Sequence, residues 1–252
     1  MTELNWLDYF SGGVPTGEYF RITLDEIKDI CDLAKEKPGG SRLYEICFIG
    51  LISYFEAFCK DHFASIINIV PELLENLKKN GQDISVDAGK ILVYPQDLCY
   101  RIGFILAEKY DFGSAQKINA IYKSVLNITP FSKSEIETYN TILRDRNLFV
   151  HHGGTYTLSY LQHAKIVNEH GRDRAFFDSL VVSKELLYEK IEFIGNIAFK
   201  LLKATHSAMT KLISENNICI DAQRKKALDA FLWWEIKPTQ QANTPDPRSA
   251  GR

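Results

Sequence analysis

From Arg42 to Val70 the chain reads RLYEICFIGLISYFEAFCKDHFASIINIV. Apolar positions fall at Leu43, Ile46, Cys47, Gly50, Tyr54 and Phe58, and again at Phe55, Phe63, Ile66, Ile67 and Val70, so they recur at intervals of three and four. Such spacing puts side chains on one side of an α-helix, where residues three and four apart are neighbours. Ser41 stands before the stretch as an N-cap, and Pro71 after it suits the first position of a following turn, Glu72 to Lys79, which Asn80-Gly81 breaks.

Downstream, Ile84 to Val93 fits either a strand or a short helix, and helical spacing returns over Asp97–Tyr110 and Ser114–Leu126 until Thr129-Pro130. Ser132-Lys133-Ser134-Glu135 is a capping box, and the helix it opens runs to about His151, where Gly153-Gly154 ends it. Tyr156 to Phe177 is weakly patterned and reads as a loop or short hairpin. Ser183 caps a long helix to about Glu215, and a last helix follows Asp221. Upstream, Thr23-Leu24-Asp25-Glu26 looks like a second capping box, opening a helix that Pro38-Gly39-Gly40 closes. The expected fold is all-α. Residues 1–236 form a single bundle of seven or eight helices with Arg42–Val70 and Ser183–Glu215 as its two long core helices, and the polar, proline-rich residues 237–252 form a flexible tail.

Composition bounds the function. Of 252 residues, 45% are hydrophobic and 25% charged, which is ordinary globular usage. The 30 Lys and Arg against 32 Asp and Glu give a net charge of −2, which excludes nucleic-acid binding by bulk positive charge but leaves room for a local basic cleft. Cys31, Cys47, Cys59, Cys99 and Cys219 are odd in number and lack a C-x-x-C pair, which argues against a disulfide framework or a zinc knuckle. Buried thiols in a reducing cytoplasm are expected. The N-terminus shows no basic segment followed by an apolar one, and the longest nearly uncharged apolar run, Ile46 to Phe55, is about half of a bilayer span. A cytoplasmic chain without a membrane partner follows from this reading.

The stretch Leu143-Arg144-Asp145-Arg146-Asn147-Leu148-Phe149-Val150-His151-His152-Gly153-Gly154 carries the chemistry. Asn147 and His151 are one turn apart on one face, while about 140° separates Arg146 from His151. An arginine near a helix end is long enough to curl toward that imidazole, with Leu148, Phe149 and Val150 anchoring the turn in the core. Glu56 has the apolar one-turn neighbours Ile52, Cys59 and Phe63, so its carboxylate sits on or beside the buried face and needs a partner: Arg146 or Arg144 across the bundle, or Lys60 four residues on. Asp61 reads as solvated.

Arg146-Asn147-Leu148-Phe149-Val150-His151 resembles the R-x-x-x-x-H signature of the HEPN superfamily, including the polar residue after the arginine. Ser53 to Asp61 resembles an aromatic-acidic run in that family's first core helix, and the likeness spans about residues 41–215. The resemblance implies an endoribonuclease that needs no metal or other cofactor, works as a homodimer on RNA, and belongs to the toxin or antiviral-defence branch, with a possible cognate antitoxin. It assigns catalysis to Arg146 and His151 with Asn147 orienting; Glu56, His152 and Arg144 are supporting candidates from their own positions, by pairing across the bundle and by adjacency to His151. Imidazole exchanges protons near neutrality, guanidinium matches a phosphate, and the ribose 2′-hydroxyl supplies the nucleophile. The alternative is a catalytically silent HEPN helical module that binds protein, nucleotide or RNA.

Other features read as structural. Ser11-Gly12-Gly13-Val14-Pro15-Thr16-Gly17 lacks the Gly-Lys-Ser/Thr ending of a phosphate loop and is a turn. His163 and His170 have no ligand-like spacing, and Trp233-Trp234 belongs to core or dimer contacts.

Overall fold

The computed structural model describes residues 4–34, 42–93, 98–164 and 178–235. Its helices are α1 (Thr16–Leu33), α2 (Arg42–Ile69), α3 (Leu74–Lys79), α4 (Ala88–Val93), α5 (Leu98–Ala107), α6 (Ala115–Leu126), α7 (Lys133–His152), α8 (Leu158–Ala164), α9 (Lys184–Glu215) and α10 (Ala222–Asp229). Short 3-10 turns stand at Trp6–Tyr9, Ser11–Gly13, Pro71–Leu73 and Ala230–Glu235. Among the described residues there is no strand, only an isolated antiparallel bridge between Thr155 and Ser179. The all-α expectation holds, and α2 and α9 are the two long helices. No helix among the described residues is long and apolar enough to cross a membrane.

Among the described residues, four of the helix starts follow from side-chain capping. Ser132 and Glu135 exchange side-chain and backbone hydrogen bonds at the start of α7. Ser114, Ser183 and Asp221 each accept an amide of the first turn they precede. The other Thr-x-x-Glu signature is corrected. Thr23 lies inside α1, which begins at Thr16 behind Pro15, and its hydroxyl donates to the Tyr19 carbonyl at 3.0 Å. A threonine satisfied on the carbonyl four residues back marks no boundary. Between Ile84 and Val93 the helical alternative prevails in α4, and α8 occupies part of the stretch read as loop or hairpin. Pro38-Gly39-Gly40, Ser41, residues 165–177 and the tail 237–252 lie outside the described residues.

Packing centres on α2, which lies against α5 and α1 most extensively and against α9 and α7 as well. Its apolar side sinks Leu51, Ile52, Phe55, Phe63, Ile66 and Ile67 into a core that continues through Phe20, Tyr139, Leu201 and Phe231. Each fully buried side chain of this size contributes about 1.5–3 kcal/mol. Polar exceptions on α2 are satisfied. His62 is fully buried between the Thr16 hydroxyl (3.2 Å from Nδ1) and the Thr205 hydroxyl (3.0 Å from Nε2). Burial pushes its pKa down to about 3, so the ring is neutral. Asn68 accepts from the Gly103 amide at 2.8 Å and donates to the Tyr9 carbonyl at 3.4 Å, fixing α5 and the N-terminal segment on α2. Cys31, Cys47 and Cys59 are buried as expected, but Cys219 is exposed, because it sits in the connection to α10 and not on a packed helix.

Candidate functional site

The motif lies at the C-terminal end of α7. Gly153 takes a left-handed conformation (φ 59°), and the amides of Gly153 and Gly154 close on the Phe149 and Leu148 carbonyls at 3.1 and 3.2 Å. Leu148 and Phe149 are buried, which anchors the turn. Val150 corrects the expectation of a third anchor, because it faces outward at 47% exposure. Beyond the glycines the chain is pinned to the segment before α9, with the Tyr156 amide donating to the Asp178 carbonyl and the Leu180 amide to the Gly154 carbonyl.

This closure lays α8 beside the end of α7 and leaves an open groove of about 260 Å³ between them. Arg144, Asn147, His151 and His152 line it from α7, and Tyr160 and His163 from α8. Asn147, His151 and His152 are exposed, so their polar atoms are open to a ligand. The Arg144 guanidinium donates to the Thr141 hydroxyl at 2.9 Å. No family model, curated protein or solved structure matches this chain.

Arg146 takes another direction. Its Nη2 donates to Glu56 Oε1 at 2.8 Å, both side chains are about three-quarters buried, and Arg146 is absent from the groove lining. Of the partners open to Glu56, the fold selects Arg146. Burial pushes the Glu56 carboxyl up, and the guanidinium counters it. Arg146 Nε is buried without a hydrogen-bond partner among the described residues. Arg144, Asn147, His151 and His152 are thus gathered in one place, whereas Arg146 and Glu56 form a pair between α7 and α2.

Three participants were missed in the sequence. Tyr160 donates to Asp145 Oδ1 at 2.7 Å and stacks on Tyr156 with centroids 5.3 Å apart. Burial pushes the Asp145 carboxyl up while the Tyr160 hydrogen bond draws it down. His163 reaches the groove because α8 is a helix, and its Nδ1 lies 2.6 Å from the Ser159 carbonyl. Asp145 follows Arg144 directly and could have been noticed, but Tyr160 and His163 lie in a stretch without helical period. Among the described residues, no three of His, Cys, Asp and Glu are placed to share a metal ion.

Proposed function

We propose that this chain is a HEPN-type endoribonuclease that cleaves RNA without a metal, by attack of the ribose 2′-hydroxyl on the adjacent phosphate, in a toxin or antiviral-defence setting. The observation that carries the reading is the placement of Asn147 and His151, one turn apart, on the exposed groove face of α7 beside Arg144. His151 takes the 2′-hydroxyl proton and returns one to the leaving 5′-oxygen, Asn147 orients the scissile group, and guanidinium charge stabilises the phosphorane. Within one chain Arg144 is the guanidinium at the groove. A homodimer supplies the second motif, and in the composite cleft Arg146 of one protomer exchanges its Glu56 partner for the phosphate beside His151 of the other.

The test uses purified protein and a single-stranded RNA in EDTA. Expected are products ending in 2′,3′-cyclic phosphate and 5′-hydroxyl, and a loss of about 10²–10⁴-fold in rate for His151→Ala. His152→Ala loses far less. If neither the protein nor its variants cut any RNA, the reading fails.

One observation favours a second reading. The Arg146 guanidinium is already neutralised by Glu56, which is how a silent HEPN module that binds protein, nucleotide or RNA would store it. RNA binding without cleavage, unaffected by His151→Ala, identifies that module.

A further inference from the structure

A second cavity shares no lining residue with the groove and holds a carboxylate, Asp61, that no hydrogen bond or ion pair engages among the described residues, although Lys60 and Arg101 line the hollow beside it. The turn Ser11–Gly13, the start of α1 and one face of α2 enclose about 210 Å³, walled by Tyr19, Phe20, Tyr54 and Phe58 and floored by Asp61. It adjoins a further hollow of about 320 Å³, since Ser11, Gly12 and Asp61 line both. We propose that this cavity binds a small organic cation, an ammonium or quaternary ammonium group on a compact apolar body, with Asp61 as counter-ion and the four aromatic rings as walls.

The carboxylate sets the charge. Asp61 is half-buried, yet among the described residues no hydrogen bond or ion pair reaches its side-chain oxygens. The other half-buried carboxylates in the neighbourhood of the groove are engaged, Glu56 by Arg146 and Asp145 by Tyr160. A charge withdrawn from water without a partner is unfavourable, and a bound cation removes that cost. Burial raises the Asp61 carboxyl, as expected for an acid that lacks its counter-ion, although Lys60 acts in the opposite direction through space.

The walls set the chemistry of the cation. Ring faces attract positive charge within about 6 Å, and most strongly a poorly hydrated ammonium. Phe20 and Phe58 are stacked 4.8 Å apart and anchored in the core, giving a rigid back wall. Tyr19 and Tyr54 remain 54% and 47% exposed, leaving aromatic surface for a ligand to cover. At the mouth, Gly12 and Gly13 both have positive φ (64° and 68°), and nothing lies within 4 Å of where a Gly12 Cβ would stand. The lip is therefore open. The cavity has room for several water volumes of about 30 Å³ each, enough for a trimethylammonium or phenethylammonium group.

A free amine and a lysine-borne ammonium share this chemistry. Calorimetric titration of the full chain with choline, phenethylammonium, capped Nε-trimethyl-lysine and the uncharged choline isostere 3,3-dimethylbutanol separates the cases. At least one cation is expected to bind with a Kd of millimolar order or tighter, and the neutral isostere about tenfold more weakly. Asp61→Asn, with unchanged circular dichroism and melting, should lose about tenfold for the cation and nothing for the isostere. Preference for the lysine derivative or for the free amines assigns the source, and either upholds the site. Equal binding of cation and isostere, undiminished binding by Asp61→Asn, or no heat from any cation at concentrations on the order of 10 mM overturns it.

Discussion

Arg146 on α7 donates to Glu56 on α2 at 2.8 Å, across ninety positions of sequence. The residue that the motif assigns to chemistry is thus also a tie between two packed helices. Removing one member leaves the other's charge half-buried, which is costlier than removing both.

Arg146→Ala should therefore lower stability by about 1–3 kcal/mol in addition to any catalytic loss. Arg146→Ala in a Glu56→Ala background should cost less, with a coupling of about 1 kcal/mol because both side chains retain some solvent. Urea denaturation of the four proteins measures it. A coupling indistinguishable from zero would show that solvent already screens the pair.

Composite active sites make a distinct prediction. Arg146→Ala and His151→Ala chains, each inactive alone, should recover RNA cleavage when unfolded and refolded together. Half of a random set of symmetric dimers is mixed and each mixed dimer holds one intact site, so roughly a quarter of wild-type activity is expected. No recovery, with mixed dimers demonstrated by mass, places both residues in one chain's site and removes the partner's contribution.

Gly103 is the tightest point between α2 and α5. A Cβ there would stand 2.0 Å from the Ala64 carbonyl oxygen and 2.7 Å from Asn68 Oδ1. Gly103→Ala must push two helices apart, and should cost about 3 kcal/mol or more. The readout is the melting temperature, with Gly50→Ala as control because nothing lies within 4 Å of its Cβ position.

The buried His62 predicts a pH dependence. Its folded pKa, pushed down to about 3, lies below the ordinary value of 6.5. Between these limits the unfolded chain binds a proton that the folded chain refuses, so stability is fully present above pH 6.5 and falls as pH drops toward 3. The slope approaches about 1.4 kcal/mol per pH unit. Denaturant unfolding from pH 7 to 4 measures the total, and His62 ring carbon shifts that stay constant from pH 7.5 to 4.5 assign its share. A ring that titrates within that range contradicts the assignment.

How much was legible depends on the length of the signal. Helices α2, α7 and α9 carry many turns of apolar period, and α7 and α9 also carry true caps, so their limits read almost to the residue. Thr23 misled because a hydroxyl bonded to its own helix looks the same in sequence as one that caps. The α7 part of the groove was legible because Arg144, Asn147, His151 and His152 are local to one helix end. The α8 part was not, since Tyr160 and His163 arrive by a short helix held in place by pairing near Ser179. The direction of Arg146 turned on which of several partners Glu56 meets, and only tertiary packing decides that.

The two threonines flanking His62 have a consequence for hydroxyl orientation. A neutral imidazole carries one N–H, so it donates to one threonine and must receive from the other. The row Thr16, His62, Thr205 consequently has a polarity running across α1, α2 and α9, and reversing it requires a tautomer change together with rotation of both hydroxyls. The three helices share a single two-valued choice, and Thr16, which also lines the Asp61 cavity, is its outermost member.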